Sequence, residues 1–336
     1  MEGHVSPDRI MDVGMGFFAS KTLLSAVELG VFTELADGPL SLSELEDRLE
    51  LDSRGSADFL DARVALGFLE REDGLYRNAP DADVYLDRNG EYYLGGILEM
   101  ANDRLYPYWG NLTEALRTGE PQNEIAEHGD LFEAVYDDRE RLEQFAGAMT
   151  SLSARPARTL ATDFEWDRYE TMCDLGASKG IVPVTVVAEN DHLEATAFDL
   201  PDLEPVAEEF IASRGLDDRV SFHGGDFFED DLPEHDVFVM GHILHDWGIE
   251  EKLTLLEKSY EALPEGGALV VYGSMIDPDR RENEMGLLMS LNMLVETPDG
   301  FDYTTAECRE WMIDVGFAET ERRDLPGPKS MVIARK

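Results

Sequence analysis

The stretch YETMCDLGASKG, from Tyr169 to Gly180, joins an apolar strand pattern to a turn framed by two glycines. Further strand-like runs follow at ATAFDL, RVSFHGGDFF, HDVFVMG and GALVVYGSMI, and helical segments separate them. Strands that alternate with helices are typical of a doubly wound α/β sheet with a parallel core. The runs FAETERRDL and SMVIARK, on either side of a Pro-Gly-Pro turn, predict an antiparallel hairpin that closes the sheet.

Polar residues follow these predicted strands at their carboxyl ends, the edge where doubly wound sheets bind ligands. Gly176 and Gly180 frame the first turn, which either lets a ligand approach the backbone or is only a structural turn. Asp199 ends the second strand and can accept hydrogen bonds from both hydroxyls of a ribose. After the third strand, Asp226 either accepts from an exocyclic amine or caps a turn, and Phe227 can lie against a flat base. Together these ends predict a nucleotide-type cofactor site.

The N-terminal part of the chain has a different, mostly helical rhythm. Its first apolar segment breaks at Gly30, and the next helix begins at SLSE, where Ser41 or Ser43 can be the cap. A further amphipathic helix leads to Asp73-Gly74, which indicates a hairpin. Three helices and a hairpin are typical of a winged helix, here read as a packing or dimerisation module. Its first helix has more apolar surface than a small domain would bury by itself, so a homodimer that covers this surface is expected.

The composition excludes several classes of partner. The chain has 72 acidic and 28 basic residues and a formal net charge of -44, which repels nucleic acid and anionic membranes. This acidic composition resembles that of cytoplasmic proteins from salt-accumulating halophiles. Two cysteines make no disulfide framework, which suits a reducing compartment. No apolar stretch is expected to reach the length of a membrane span, so the predicted location is the cytoplasm.

The fourth strand end reads GHILHDWG, and the following helix ends in YEALPEGG. With DLGASKG, FDLP and GGDFF, these motifs make the chain resemble the plant-type (class II) S-adenosylmethionine-dependent O-methyltransferases over nearly its whole length. The resemblance implies an α/β fold, with a Rossmann-like class I methyltransferase domain in residues 166–336. It also implies an all-helical winged-helix dimerisation domain in residues 1–118 and a helical connector in residues 119–165 that contributes to the acceptor pocket.

The same resemblance assigns S-adenosyl-L-methionine as the cofactor and a hydroxyl of a small aromatic or polyketide-like molecule as the acceptor. Carried over by position, the cofactor set is Asp174, Gly176, Ser178, Gly180, Asp199, Leu200, Asp226, Phe227 and Gly241. His245 matches the general base of the family. That role is chemically reasonable, because a phenol with a pKa of about 10 reacts poorly until a base such as neutral imidazole takes its proton.

Three positions depart from the family pattern. Ser178 replaces a glycine of the loop, at a cost of about 1 kcal/mol if the position needs a positive φ. Gly241 stands where plant members carry lysine, and Gly273 stands where one of two glutamates flanks the base. Asp302 matches the other glutamate, so it either orients His245 or is an acid in a surface turn. Asp246 either faces the sulfonium or caps the helix that begins near Ile249.

The acceptor pocket is predicted from one apolar segment and the connector. Glu282 to Thr304 reads as a single helix, with Met289, Asn292 and Met293 at near-helical spacing. Connector candidates are Tyr106, Trp109, Phe132, Phe145 and Met149. His242 precedes His245 by three positions, but no third ligand stands at a supporting spacing, so no metal site is predicted.

Two alternative functions remain open from the sequence. Relatives of this family exist that keep the cofactor without transferring its methyl group, and the absent glutamate at Gly273 permits that chemistry, whereas His245 favours transfer. A winged-helix regulator that senses a ligand is the other alternative, and the acidic surface disfavours it.

Overall fold

The computed structural model describes residues 5–124 and 139–336. The chain forms two compact units, Met1–Pro107 and Tyr108–Lys336, which are described separately. Phe132, a predicted acceptor residue, lies outside the described residues.

The N-terminal unit is mainly helical. Its helices are α1 (Asp8–Met15), α2 (Phe17–Glu28), α3 (Val31–Ala36), α4 (Leu42–Arg48), α5 (Ser56–Ala65), α6 (Pro80–Leu86) and α7 (Gly95–Met100), followed by a π-helical segment (Ala101–Leu105). The short helix α8 (Tyr106–Trp109) spans the boundary between the units. A small sheet contains β1 (Leu40–Ser41), β2 (Leu69–Glu72) and β3 (Leu75–Asn78) in the order β1-β3-β2.

Local sequence signals explain the boundaries of several of these elements. Gly30 precedes α3 with a φ of 76°, which explains the predicted break. Ser41 caps α4 through a capping box with Glu44, so Ser41 is the cap residue. Asp73 and Gly74 have φ values of 51° and 81°, the geometry of a tight turn between paired strands. The predicted hairpin is confirmed, and the three-stranded sheet shows that the unit is not entirely helical.

The first two helices together form an apolar stretch, although no apolar stretch as long as a membrane span was expected from the sequence. Asp8–Glu28, a run of 21 residues, is long and apolar enough by length and composition to cross a membrane. That expectation was wrong because Gly16 interrupts the helix without ending it. In the single chain its apolar side chains are largely exposed, with Ile10 at 70% and Phe18 at 57%. An exposed apolar helix is equally the property of a surface that a second protein covers.

The C-terminal unit begins with α9 (Leu112–Thr118) and α10 (Arg139–Asp163). Strands and helices then alternate as β4 (Thr171–Leu175), α11 (Ile181–Glu189), β5 (Glu194–Asp199), α12 (Glu204–Ser213), β6 (Val220–Gly224), β7 (Val237–Gly241), α13 (Ile249–Ala262) and β8 (Ala268–Gly273). The remaining elements are α14 (Glu284–Glu296), α15 (Thr305–Val315), β9 (Glu319–Asp324) and β10 (Ser330–Arg335). Short 3-10 turns occur at Trp166–Arg168, Pro201–Leu203 and Leu244–Asp246.

One seven-stranded sheet organises this unit, in the order β6-β5-β4-β7-β8-β10-β9. The first five strands of that order are parallel, and β10 pairs antiparallel with both β8 and β9. Neighbouring residues of β4 point to opposite apolar cores, since Met172 lies in one and Cys173 in the other. The predicted doubly wound sheet with an antiparallel edge hairpin is therefore confirmed. The order of the strands reverses between β4 and β7, which creates the crevice where such sheets bind ligands.

One predicted helix is shorter than expected. The apolar helix was predicted to continue to Thr304, but α14 ends at Glu296 and Thr297 is extended, with φ -130° and ψ 155°. Pro298 is the cause, because a residue that precedes proline is pushed out of the helical region. The segment from Pro298 onwards is a loop, and it carries Asp302.

Candidate active site

A cavity of about 560 Å³ opens at the carboxyl ends of the parallel strands. Most of the predicted cofactor residues line it, namely Asp174, Gly176, Ser178, Asp199, Leu200, Asp226, Phe227 and Gly241. Asp246 and the predicted acceptor residues Phe145 and Met149 line the same space. The residues that the sequence placed at four separate strand ends therefore share one cavity.

The loop after β4 is held in a conformation that favours glycine. Gly176 has a φ of 76°, and a Cβ atom there would lie 2.1 Å from Cδ1 of Ile243, so a side chain would strain the backbone and displace Ile243. Ser178 also has a positive φ, 52°, which meets the condition under which the sequence analysis expected strain. Gly180 is the N-cap of α11 and does not line the cavity. The loop thus keeps a glycine-type backbone while it presents a hydroxyl.

The hydroxyl of Ser178 is available to a ligand. The residue is 8% exposed and lines the cavity, and its Oγ has no hydrogen-bond partner among residues 5–124 and 139–336. A buried hydroxyl without a partner is unfavourable unless a bound molecule satisfies it. Ser178 is therefore both a strained residue and a polar group that faces the cavity.

Two buried carboxyl groups lie beneath this loop. Asp199 accepts hydrogen bonds from the backbone N–H of Ser178 at 2.7 Å and of Leu200 at 2.8 Å. Burial raises the pKa of Asp199 to about 6, although these two N–H groups oppose the shift. Burial, and then the charge of Asp199, raise the pKa of Asp174 well above its usual range. Such a pair of acids is suited to a ligand that brings hydroxyl donors and a positive charge.

Asp226 and Phe227 line the cavity just after the carboxyl end of β6. The backbone N–H of Phe228 donates to Oδ1 of Asp226 at 2.8 Å, so this carboxylate does hold a turn, as one reading of the sequence expected. It also faces the cavity, so the two readings are compatible. The Phe227 ring meets Phe228 edge to face at 4.9 Å, which fixes an aromatic surface at this end.

Gly241, at the end of β7, is explained by a neighbour that the sequence analysis missed. A Cβ atom on Gly241 would lie 2.1 Å from the Tyr272 ring, so that ring occupies the space beside the glycine. Tyr272 is buried and lines the cavity, and burial is the main cause that raises its pKa above the usual range. The signal was present in the sequence, because Tyr272 precedes the carboxyl end of the predicted strand GALVVYG.

His245 lies between two carboxyl groups in the 3-10 turn that follows β7. Its Nδ1 is 3.4 Å from the carboxylate of Asp302, and its Nε2 is 3.5 Å from Oδ1 of Asp246. Burial alone would lower the pKa of His245, but the charges of Asp246 and Asp302 outweigh it and raise the pKa to about 9. His245 does not itself line the cavity, whereas Asp246 beside it does.

The structure decides between the alternatives left open for the two acids. Asp302 is only 4% exposed and its backbone N–H donates to Ser290 Oγ at 3.2 Å, so it is not part of a surface turn. Helix α13 begins after Gly248 without a side-chain cap, so Asp246 does not cap it. Burial is the main cause that raises the pKa of Asp246 to about 6. Both acids therefore belong to the surroundings of His245.

Lys252 connects the segment that follows His245 to the loop that carries Asp302. It is fully buried, and its Nζ donates to the carbonyl oxygens of Trp247 at 2.6 Å and Phe301 at 3.0 Å. The ammonium also lies 3.3 Å from the centre of the Phe301 ring. Burial lowers its pKa to about 8, against the opposing charges of Asp302 and Asp246. The sequence analysis missed Lys252, whose role depends on a loop about fifty positions away in the chain.

Among the residues that the structure describes, the other predicted acceptor residues, namely Tyr106, Trp109, Met289, Asn292 and Met293, do not line the cavity. Asn292 is buried and accepts a hydrogen bond from Trp109 Nε1 at 2.7 Å, while its amide nitrogen donates to Glu296 at 3.3 Å. The polar partner that this amide required is therefore found. Met293 is buried and Met289 is half-buried on the same helix, α14, which packs against the turn that carries His245.

Comparisons with known proteins identify the family of this chain. The O-methyltransferase dimerisation domain matches residues 11–88, and the O-methyltransferase domain matches residues 109–318. The tetracenomycin polyketide synthesis 8-O-methyl transferase TcmO of Streptomyces glaucescens is 44% identical over 98% of this chain and 97% of that protein. The N,N-dimethyltransferase OxyT of Streptomyces rimosus is 38% identical over 94% of this chain and 92% of that protein.

A solved structure agrees with these matches. Human N-acetylserotonin methyltransferase in complex with SAM has a TM-score of 0.91 and 30% identity, and the match covers 100% of this chain and 99% of that one. The predicted Rossmann-like methyltransferase fold with an N-terminal dimerisation domain is confirmed. The chain belongs to the plant-type (class II) family of S-adenosylmethionine-dependent O-methyltransferases.

Proposed function

We propose that the protein transfers a methyl group from S-adenosyl-L-methionine to a hydroxyl of a small aromatic, polyketide-like acceptor, with His245 as the general base. One observation carries this proposal. A buried imidazole lies between two carboxyl groups, next to a cavity whose walls carry the acids and the glycine-type loop of a cofactor site. The retained base favours transfer over the alternative in which the cofactor has only a structural role.

The residues present fit the cofactor. Asp199 would hold the ribose hydroxyls, and Asp226 with Phe227 would hold the adenine. The unpartnered Ser178 hydroxyl and the Gly176 backbone would face the methionine part. When bound, the cofactor supplies a methyl group on a positively charged sulfur. The negative charge of Asp246 on the cavity wall is complementary to that positive charge.

The chain's own groups would move the proton. Asp302 accepts a hydrogen bond from Nδ1 of His245, which fixes the ring and leaves Nε2 to take the proton of the acceptor hydroxyl. Asp246 and Asp302 stabilise the imidazolium that results. Lys252 is a positioning residue in this scheme, because it joins the backbone beside His245 to the backbone beside Asp302. The remaining contribution is alignment of the acceptor hydroxyl within the cavity.

The relatives support an aromatic acceptor and leave one alternative. TcmO, at 44% identity, is a polyketide 8-O-methyl transferase by name, and a relative at 33% identity is a 3-hydroxy-5-methyl-1-naphthoate 3-O-methyltransferase by name, which together favour an oxygen on an aromatic, polyketide-like acceptor. OxyT, at 38% identity, is named as an N,N-dimethyltransferase, which favours an amine as the second candidate acceptor. An oxygen acceptor needs the base more, because a phenol is a poor nucleophile before its proton leaves.

A matched pair of acceptors separates these candidates. Calorimetry in molar KCl should first show binding of S-adenosylmethionine, since the net charge of -44 calls for screening. The protein is then incubated with α-naphthol or α-naphthylamine, and the gain of one methyl group is followed by mass spectrometry. We expect methylation of the naphthol and little of the amine. Methylation of the amine alone would favour the second candidate, and cofactor binding without any transfer would support the structural role.

Assembly and environment complete the proposal. The exposed apolar helices α1 and α2 lie mostly within the residues that match the dimerisation domain, which supports a homodimer through the N-terminal domain. We propose residues 1–118 as that domain, of winged-helix type, residues 119–165 as the connector, and residues 166–336 as the methyltransferase domain. The acidic composition supports a cytoplasmic protein that works at high salt, without nucleic acid or membrane as a partner.

A further inference from the structure

His242 is a buried residue that the scheme above does not use. It lines the cavity and is 7% exposed. Neither Nδ1 nor Nε2 of its ring has a hydrogen-bond partner among residues 5–124 and 139–336. Buried polar groups are almost always paired, and an unpaired one destabilises the protein that contains it. The imidazole therefore needs a partner, and the cavity is the place from which a ligand can provide one.

The backbone at His242 is also strained. Its φ is 60°, a left-handed value that costs free energy in any residue with a Cβ atom. A hydrogen bond from its N–H to the carbonyl oxygen of Tyr272, at 3.0 Å, holds the residue in this conformation. Strained residues cluster at binding and catalytic sites, where the surrounding structure enforces them. In this protein the residue with the strained backbone is also the one whose imidazole lines the cavity.

The ring of His242 lies beside the place where a side chain is missing. A Cβ atom on Gly273 would be 3.9 Å from Nδ1 of His242, so a side chain at that position would lie against the ring, and the glycine leaves that space open. The centres of the His242 and His245 rings are 5.6 Å apart, with 51° between their planes. His242 lines the cavity, and Nε2 of His245 lies 3.5 Å from Asp246, which also lines it, so the two imidazoles flank the same part of the cavity wall.

We propose that His242 hydrogen-bonds a second oxygen of the acceptor, next to the hydroxyl that His245 deprotonates, and so selects acceptors with two neighbouring oxygens in ortho or peri positions. This inference rests on the proposed function and makes its substrate class more specific. Oxygens joined by an internal hydrogen bond are about 2.5 to 3 Å apart, a spacing that two neighbouring imidazoles can bracket.

The charge state of His242 suits this role. Burial, then the positive charges of Lys329 and His245, lower the pKa of His242 well below its usual range. The ring is therefore neutral, with one nitrogen that donates and one that accepts. A neutral imidazole can pair with either a carbonyl or a hydroxyl as the second oxygen, whereas a glutamate could only accept in its charged form.

Binding of two related probes tests the inference without turnover. Calorimetry with S-adenosylhomocysteine present compares α-naphthol with 1,8-dihydroxynaphthalene, which adds one peri hydroxyl. We expect the wild type to bind the diol about tenfold more tightly, the effect of one hydrogen bond to a buried group. His242→Gly relieves the backbone strain and removes the ring, and it should bring the ratio of affinities close to one. His242→Asn tolerates a positive φ and keeps a hydrogen-bonding group, so it should restore part of the preference.

Each outcome of these binding measurements either supports or overturns the proposed hydrogen bond of His242. A wild type without preference, no binding of the diol, or a preference that survives in His242→Gly would each overturn the inference. Methyl transfer to both probes is measured in parallel. Preference for the diol without transfer to either probe would contradict the proposed function and leave the hydrogen bond of His242 supported, whereas transfer with no preference would do the reverse. In nitrogen-15 histidine-labelled protein, a ring-nitrogen chemical shift of His242 should move with the diol only, and equal shifts with both probes would count against the inference.

Discussion

The two sides of the cavity are built in different ways. On the cofactor side, Asp199 and the loop from Gly176 to Ser178 belong to adjacent strand ends, and backbone N–H groups already hold the carboxylate. On the base side, His245 and Asp302 come from segments 57 positions apart, and they meet through a contact between their two side chains. Buried Lys252 joins these segments instead.

This difference predicts two kinds of response to mutation. The cofactor side is fixed by the sheet, so its side chains should mainly determine how tightly the cofactor binds. The base side depends on the mutual charges of buried groups, so its side chains should mainly determine the rate and its dependence on pH. This division would be wrong if a substitution on the cofactor side changed mainly the rate, or one on the base side changed mainly the cofactor affinity.

The largest effect is expected from His245→Ala on the base side. Loss of the general base should lower kcat by about 10² to 10⁴-fold, while the dissociation constant of S-adenosylmethionine stays within about twofold. Steady-state kinetics and calorimetry measure the two quantities. His192→Ala is a suitable control, because that histidine is exposed in the turn before β5, at the opposite ends of the strands. If rate and cofactor affinity fell together, the assignment of the base would be wrong.

On the cofactor side, Asp199→Asn should show the opposite pattern. The substitution removes a buried charge and one of the two acceptors that hold the Ser178 and Leu200 amides, so cofactor affinity should fall about tenfold to hundredfold. With saturating cofactor, kcat should change little. Calorimetry and kinetics test this, with the exposed Asp217→Asn as the control. A large loss of kcat at saturation would place Asp199 in the chemical step and contradict the division.

The pH profile provides a finer test of the base side. His245 accepts a proton only when neutral, and its pKa is raised to about 9, so kcat/KM for the acceptor should rise with pH toward that value. Asp302→Asn removes one of the two negative charges that raise this pKa. The inflection should therefore move to lower pH by about one unit, and the plateau should fall several-fold because the base is weaker.

The control for this profile is Asp299→Asn, an exposed acid in the same loop. It should leave the inflection unchanged, because it is not among the groups that shift the pKa of His245. An inflection in Asp302→Asn that stayed in place or moved to higher pH would show that this carboxylate does not act on the base.

The same division explains how much could be predicted from the sequence. The sheet, its edge hairpin and the residues at its strand ends follow from alternation and turn residues, which are local signals. The predicted end of α14 was wrong because the effect of Pro298 on the preceding residue was overlooked, although proline is also a local signal. Lys252 was missed as a site residue because its partner Phe301 comes from a distant segment, which only the packed structure brings close. Tyr272 was missed although its position near a strand end was visible in the sequence. His242 was considered only as a metal ligand.

The smallest effects, and the sharpest comparison, come from Ser178. Ser178→Gly relieves the positive φ and should raise the free energy of unfolding by about 1 kcal/mol. It also removes the hydroxyl that faces the cavity, so cofactor affinity should fall about threefold to fivefold. Ser178→Ala is the matched control, because it keeps the strain and lacks the hydroxyl, and it should lose affinity without gaining stability. Denaturation and calorimetry measure both quantities. If Ser178→Gly bound the cofactor more tightly, the hydroxyl would contribute nothing, and the serine would be only a tolerated substitute for glycine.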